Sequence, residues 1–149
     1  MKKKVLITGG TGFIGRNVVD ELISRGWEVH SLVFPPFAPE KEGLIQYEMN
    51  LMDTDAVNKF LKEHNFENLI HLAWYVGPKC HVHDLNLDWT LATLNLLKNF
   101  KENGGKRFAG AGTISEYEYK YGYLLEDETP TSPKTLYGES KNSIYKIAS

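Results

Sequence analysis

The chain has 149 residues, 17 Lys and Arg against 19 Asp and Glu, and a formal net charge of −2, the length and balance of one ordinary domain with no electrostatic footing for nucleic acid. Its hydrophobic residues, 42 % of the chain, suffice for a core, and its one cysteine, Cys80, excludes a disulfide within the chain. Met1-Lys2-Lys3-Lys4 leads into an apolar run that ends at Thr8-Gly9-Gly10, too short and glycine-rich for a signal peptide, and no run reaches the ~20 apolar residues of a membrane helix, so a cytoplasmic location without a membrane partner is expected.

Val5-Leu6-Ile7 reads as a fully buried strand, since three consecutive apolar residues leave neither face for water. The helix that follows places Phe13, Ile14, Val18, Val19, Leu22 and Ile23 at three- and four-residue intervals and stops at Gly26. Trp27 to Phe34 is a second strand, closed by Pro35-Pro36 and Pro39, which cannot donate to a central ladder. Ile45, Tyr47 and Met49 alternate as a third strand, before a short helix carrying Ala56, Val57, Phe60 and Leu61. Asn68 to Ala73 is a fourth strand. Leu87, Leu91, Leu94 and Leu97 stripe a long helix that ends at Gly104-Gly105, and Phe108 to Ala111 begins a fifth, glycine-rich strand. Segments 74–84 and 114–135 read as long loops of the kind that bind ligands. Buried strands in this order predict an α/β fold: a doubly wound (Rossmann) parallel sheet of five strands with helices on both faces, one domain over 1–149.

Thr8-Gly9-Gly10-Thr11-Gly12-Phe13-Ile14-Gly15 sits between the first strand and the first helix, where a glycine loop has a mechanical purpose. Gly9 permits the tight turn, Gly12 removes the Cβ that would block a pyrophosphate, and Gly15 lets helix and strand pack closely. The helix N-terminus then offers N–H groups and partial positive charge to phosphates, so dinucleotide binding is expected.

These residues resemble the extended short-chain dehydrogenase/reductase family, also called the NAD-dependent epimerase/dehydratase family. Its opening TGxxGFIG is matched by Thr8, Gly9, Gly12, Phe13, Ile14 and Gly15. Asn50-Leu51-Met52-Asp53 resembles its DLxD, with Asn50 where an aspartate is usual at the adenine, and His71-Leu72-Ala73 resembles its HLA(A) beside the cofactor. Gly112-Thr113 and Tyr117 resemble its (S)(S/T)xxxY; Glu128-Thr129-Pro130, Pro133 and Tyr137-Gly138-Glu139-Ser140-Lys141 resemble its E-T-P-x-x-P-x-x-x-Y-G-x-S-K. The resemblance implies a cofactor site of Gly9, Thr11, Gly12, Phe13, Ile14, Gly15, Arg16, Asn50, Leu51, Leu72, Ala73 and Lys141. The cofactor is NAD or NADP. The end of the second strand, Leu32-Val33-Phe34, offers neither the acid that selects NAD nor the arginine that accommodates a 2′-phosphate; Arg16 and Lys41, within reach of a phosphate, tilt the expectation towards NADP.

Tyr137 and Lys141 are four apart, on one helix face. A phenol titrating near 10 is a poor base at neutral pH, and an ammonium within about 4–6 Å stabilises its phenolate. The resemblance implies that Tyr137 exchanges a proton with a sugar hydroxyl or ketone, that Lys141 also holds the nicotinamide ribose, and that Thr113 orients the reacting oxygen. The bland reading of Thr113 is a strand-end hydroxyl satisfying backbone. Family members that dehydrate sugars carry Asp-Glu after the Ser/Thr; Ile114 and Ser115 stand there, so an epimerase or 4-ketoreductase of a nucleotide-linked sugar is expected and a dehydratase is not. Trp89-Thr90-Leu91-Ala92-Thr93 stands where the family often has N-x-x-G-T, and the asparagine is missing. The rival from another class is a cofactor-binding regulator without turnover, which would not need Tyr137, Lys141 and Thr113.

Cys80, His81 and His83 lack a fourth ligand at a recognisable spacing, so no metal is expected. Tyr117, Tyr119, Tyr121 and Tyr123 fall on one side if extended, as a packed hairpin or, less favoured, a surface for a nucleotide base. A sixth strand and the family's substrate-binding part should follow Ser149. The chain therefore reads as the N-terminal portion of a longer enzyme, inactive alone and prone to pair as a homodimer through the open edge beside the fifth strand.

Overall fold

Val5 and Ile7 pack in one hydrophobic cluster and Leu6 in another, as alternation along a strand requires when both faces are covered. The computed structural model describes residues 3–149 except the Tyr121 side chain; Met1 and Lys2 lie outside the described residues. Its elements are β1 (Lys4–Thr8), α1 (Phe13–Ser24), β2 (Glu28–Val33), β3 (Leu44–Glu48), α2 (Thr54–His64), β4 (Asn68–His71), α3 (Leu85–Glu102), β5 (Arg107–Gly110) and α4 (Leu136–Ala148). Single 3₁₀ turns lie at Ile114–Glu116 and Tyr119–Tyr121. The five strands form one parallel sheet in the order β3-β2-β1-β4-β5. α1 covers one face through Val18, Val19, Leu22 and Ile23; α2 and α3 cover the other through Val57, Phe60, Leu61, Leu96 and Phe100. This is the doubly wound arrangement, and its order reverses between β1 and β4, where such sheets open a crevice at the carboxyl ends of the strands.

β2 crosses to β3 without a helix. Gln46 of β3 pins the crossover instead: its Nε2 donates to the Ala38 carbonyl and its Oε1 accepts from the Ala38 N–H, both at 2.9 Å. Among the described residues β5 is the last strand in the sheet order and pairs with β4 alone.

The leucine stripe is a correction. Leu91 is 61 % and Leu87 53 % exposed, and the buried face of α3 is Asn86, Ala92, Thr93, Leu96 and Phe100. Both sets recur with helical spacing, one residue out of phase. The true core face is disguised because Asn86 and Thr93 are polar; both are buried because their side chains are hydrogen-bonded. The first turn of α1 is a smaller correction, since Phe13 and Ile14 are largely exposed and line the crevice instead of the sheet. Leu96→Ala should therefore cost about 2–5 kcal/mol and Leu91→Ala less than about 1 kcal/mol in urea unfolding; equal losses would restore the original stripe.

Candidate functional site

The turn after β1 closes on itself. Gly9 has φ of +71° with Gly12 N–H donating to its carbonyl at 3.0 Å, and a Cβ on Gly15 would strike that same carbonyl, so the roles given to the first and last glycines follow from the geometry. Gly12 is the N-cap of α1 and provides no side-chain cap. The N–H groups of the first turn, with the positive end of the helix dipole, are left for a ligand.

A cavity of about 450 Å³ lies over this turn. Gly9, Thr11, Gly12, Phe13, Ile14, Gly15, Asn50, Leu51, Leu72 and Ala73 all line it, together with Val33, Phe34, Trp74 and Trp89. Asn50 also closes its own turn, accepting from the Met52 N–H at 3.0 Å. Two residues expected at the cofactor, Arg16 and Lys141, line neighbouring cavities. Arg16 lines an adjoining cavity of about 250 Å³ with Ser31, Lys41 and Gln46, joined to the first through Thr11. In that cavity the buried Ser31 Oγ has no hydrogen-bond partner among the described residues, Lys41 Nζ is 2.7 Å from Asp20 Oδ1, and the Arg16 guanidinium lies over the Phe13 ring.

Lys141 lines a third cavity, about 210 Å³, with His71, Gly110, Ala111, Gly112, Ile144 and Tyr145 among its walls. It is 7 % exposed, and burial pulls its ammonium down to about 8, partly opposed by Glu116. Among the described residues no hydrogen bond or ion pair reaches its Nζ, which stands 4.4 Å over the Trp74 ring. Trp74 also packs edge-on against Tyr137, with centroids 6.4 Å apart, and so forms a wall common to the large cavity and the Tyr137–Lys141 pair. α4 presents that pair because Thr135 caps it, its hydroxyl accepting from Gly138 N–H at 3.0 Å. Gly138 is required here: a Cβ would collide with the Ser115 carbonyl. The close approach brings the turn that starts at Thr113 against the first turn of α4. Thr113 caps that turn, its Oγ1 accepting from Ser115 N–H at 3.3 Å. Its backbone role is thus real, and its own O–H remains free to donate.

Several site features escaped the sequence reading. Asn86, fully buried, accepts from Trp74 Nε1 at 2.9 Å and donates to the carbonyls of Cys80 and His83, ordering the loop after β4. The signal was Trp74 itself, a bulky indole where HLA(A) has alanine. His71 is buried between Thr8 Oγ1, 2.7 Å from Nδ1, and Thr93 Oγ1, 3.0 Å from Nε2; burial pulls its pKa down to about 3. Cys80, His81 and His83 belong to the loop, with the His81 ring against Tyr137 and its carbonyl accepting from Tyr137 N–H. The tyrosine run corrects the extended reading. Tyr117 bridges Thr131 and closes the loop like a hairpin, but Tyr119–Tyr121 is a 3₁₀ turn, and Tyr119 and Tyr123 are exposed. Ile114 is exposed, and Ser115 is buried 3.3 Å from Tyr119 Oη.

A parallel doubly wound sheet with a glycine turn at its switch point and a Tyr-x-x-x-Lys helix beside it defines a class of nicotinamide-dinucleotide domains. The profile of the NAD dependent epimerase/dehydratase family matches residues 5–149, and the chain belongs to that family. It is 31 % identical over 142 residues to the dTDP-6-deoxy-L-talose 4-dehydrogenase (NAD(+)) of Aggregatibacter actinomycetemcomitans, covering 94 % of this chain and 52 % of that protein. It is 26 % identical over 159 residues to the UDP-glucose 4-epimerase of Lactobacillus helveticus, covering 97 % and 46 %. The UDP-glucose 4-epimerase of Thermus thermophilus, solved in complex with NAD, superposes with a TM-score of 0.84 at 29 % identity, over 97 % of this chain and 49 % of that one. The chain spans about half the length of the curated relatives it matches. Among the described residues no helix is long and apolar enough to cross a membrane.

The depressed His71 pKa gives a pH test of this centre. Between about 6.5, its value in an unfolded chain, and about 3, the unfolded state holds a proton that the folded state refuses. Stability therefore falls as pH falls through that window. Replacing His71 with Gln should reduce the slope of unfolding free energy against pH there by up to about 1.4 kcal/mol per pH unit, measured by urea unfolding from pH 7 to 4; parallel slopes would remove His71 from the buried centre.

Proposed function

We propose that the chain is the cofactor-binding half of a longer cytoplasmic enzyme, an NAD(P)-dependent 4-epimerase or 4-ketoreductase of a nucleotide-linked sugar. The observation that carries this reading is the buried Lys141 ammonium, which stands over the ring of Trp74, itself a wall of a cavity floored by an uncapped glycine turn. A nicotinamide dinucleotide fits these donors: the first-turn N–H groups and Thr11 suit a pyrophosphate, Asn50 and Leu51 the adenine end, Leu72 and Ala73 the nicotinamide half, and Lys141 a ribose diol. The nicotinamide supplies hydride transfer when bound.

The rest is the work of this chain's own groups. Tyr137 Oη exchanges a proton with the reacting sugar oxygen. Lys141 holds the nicotinamide ribose, and Thr113 donates its O–H to the same sugar oxygen and orients it. With Ile114 and Ser115 where a dehydratase needs acid and base, elimination of water lacks its groups. For the 2′ position of the adenosine ribose, the absence of a carboxylate at Val33 and Phe34 and the adjoining cavity with Arg16, Lys41 and the orphaned Ser31 hydroxyl among its walls favour NADP. The open edge of β5 is proposed to pair two copies of this chain when nothing else covers it.

Calorimetric titration of the chain with NAD(H) and NADP(H) should give binding with NADP(H) the tighter, and Gly12→Val should abolish it while the circular dichroism spectrum persists. No heat from either cofactor would sink the assignment, and tighter NAD would refute the 2′-phosphate reading. In the full-length enzyme Tyr137→Phe should lower kcat by about 10²-fold or more with little change in cofactor affinity. Incubation with nucleotide-diphosphate-glucoses should yield no 4-keto-6-deoxy sugar; its accumulation would show that Ile114 and Ser115 are misread.

A further inference from the structure

Asn86 is fully buried and takes no part in the reaction just described. It stands in the first turn of α3, and its side-chain hydrogen bonds go to the loop after β4. The orientation of its amide follows from those partners. An indole N–H can only donate and a carbonyl can only accept, so Oδ1 faces Trp74 Nε1 at 2.9 Å and Nδ2 faces the carbonyls of Cys80 and His83 at 2.6 and 2.8 Å. One side chain thus holds the loop at its start and on both sides of His81.

Both rings held in this way touch Tyr137. The Trp74 indole meets it edge-on with centroids 6.4 Å apart, and the His81 imidazole does so at 5.6 Å. The His81 carbonyl also accepts from Tyr137 N–H at 3.1 Å, so the loop grips the backbone of α4 at the residue that bears the phenol. Among the described residues no hydrogen bond reaches Tyr137 Oη, and the side chain is aimed by packing. We propose that Asn86 is a positioning residue for Tyr137: it sets the Trp74 and His81 rings, and through them the direction of the phenol. This rests on the reading of Tyr137 as the proton-transfer group. A phenol turned off its line would meet the sugar oxygen badly, a misplacement that costs rate and leaves cofactor binding intact.

The test is NMR of the chain with its tyrosine, tryptophan and histidine rings labelled, Tyr137 being assigned with Tyr137→Phe. The parent should show cross-peaks from the Tyr137 ring to those of Trp74 and His81, and their absence overturns the proposal. Asn86→Ala should weaken both and move the Tyr137 ring signals towards those of free tyrosine, while Tyr47, packed against His30 and Phe60, keeps its own. Asn86→Asp keeps an acceptor for Trp74 Nε1 but turns an oxygen on two carbonyls, so it should weaken the His81 cross-peak alone; it stands in if the alanine variant does not fold. Unmoved Tyr137 signals in the variant that folds, or equal movement of Tyr47, overturn the proposal. In the full-length enzyme Asn86→Ala should lower kcat about ten- to hundredfold with KM changed by less than about twofold. An unchanged kcat there while Tyr137→Phe is inactive defeats the role of Asn86 alone, and full turnover in Tyr137→Phe defeats the reading of Tyr137 itself.

Discussion

Three side chains from three elements meet in the middle of the protein: Thr8 at the end of β1, His71 at the end of β4 and Thr93 in the middle of α3. All are buried, and a polar group out of water must be paired or it costs stability. The imidazole satisfies both hydroxyls and thereby fixes how the two central strands end and how α3 lies across them. The crevice opens where these strands end, and the loop carrying Trp74 leaves from the same point. A shift of α3 by one residue would leave Thr93 and Asn86 unpaired as well as unseating Leu96. The polar contacts thus specify a register that apolar periodicity alone leaves ambiguous between two faces.

The two halves of the site obey different physics. At the glycine turn, recognition is built from backbone N–H groups and a helix dipole, and side chains matter chiefly by being absent. Around Lys141 it is built from side-chain charge in a dry place, where small changes in neighbours have large effects on ionisation. Trp74 adjoins both, lining the large cavity on one side and receiving the Lys141 ammonium on its face. Asn86 holds the indole by its N–H, so a helix residue remote in sequence from both halves controls how they are joined.

Much of this was legible in the sequence because strands buried on both faces and a glycine turn leave local signatures. Val5-Leu6-Ile7, the turn to Gly15 and the spacing of Tyr137 and Lys141 each carry their meaning within a few residues. The α3 stripe was misplaced because local periodicity says nothing about which face a neighbouring element occupies. Asn86 and Glu116 were invisible because a buried polar residue looks like a surface one until its partner is known, and those partners were the loop 74–83 and a turn capped by Thr113. Trp74 was visible as an exception to HLA(A), but its significance depends on a lysine that follows 67 positions later.

The strand order has a consequence for the chain as it is made. β1 is the middle strand, and its two edges are covered at different times, because synthesis delivers β2 and β3 by Glu48 and β4 only at Asn68–His71. Until then a nascent chain that has already folded its first half presents Val5-Leu6-Ile7 along a bare inner edge, the surface most apt to recruit a neighbouring polypeptide on a crowded ribosome array. That edge is covered once β4 pairs with β1, the same step that brings His71 to Thr8.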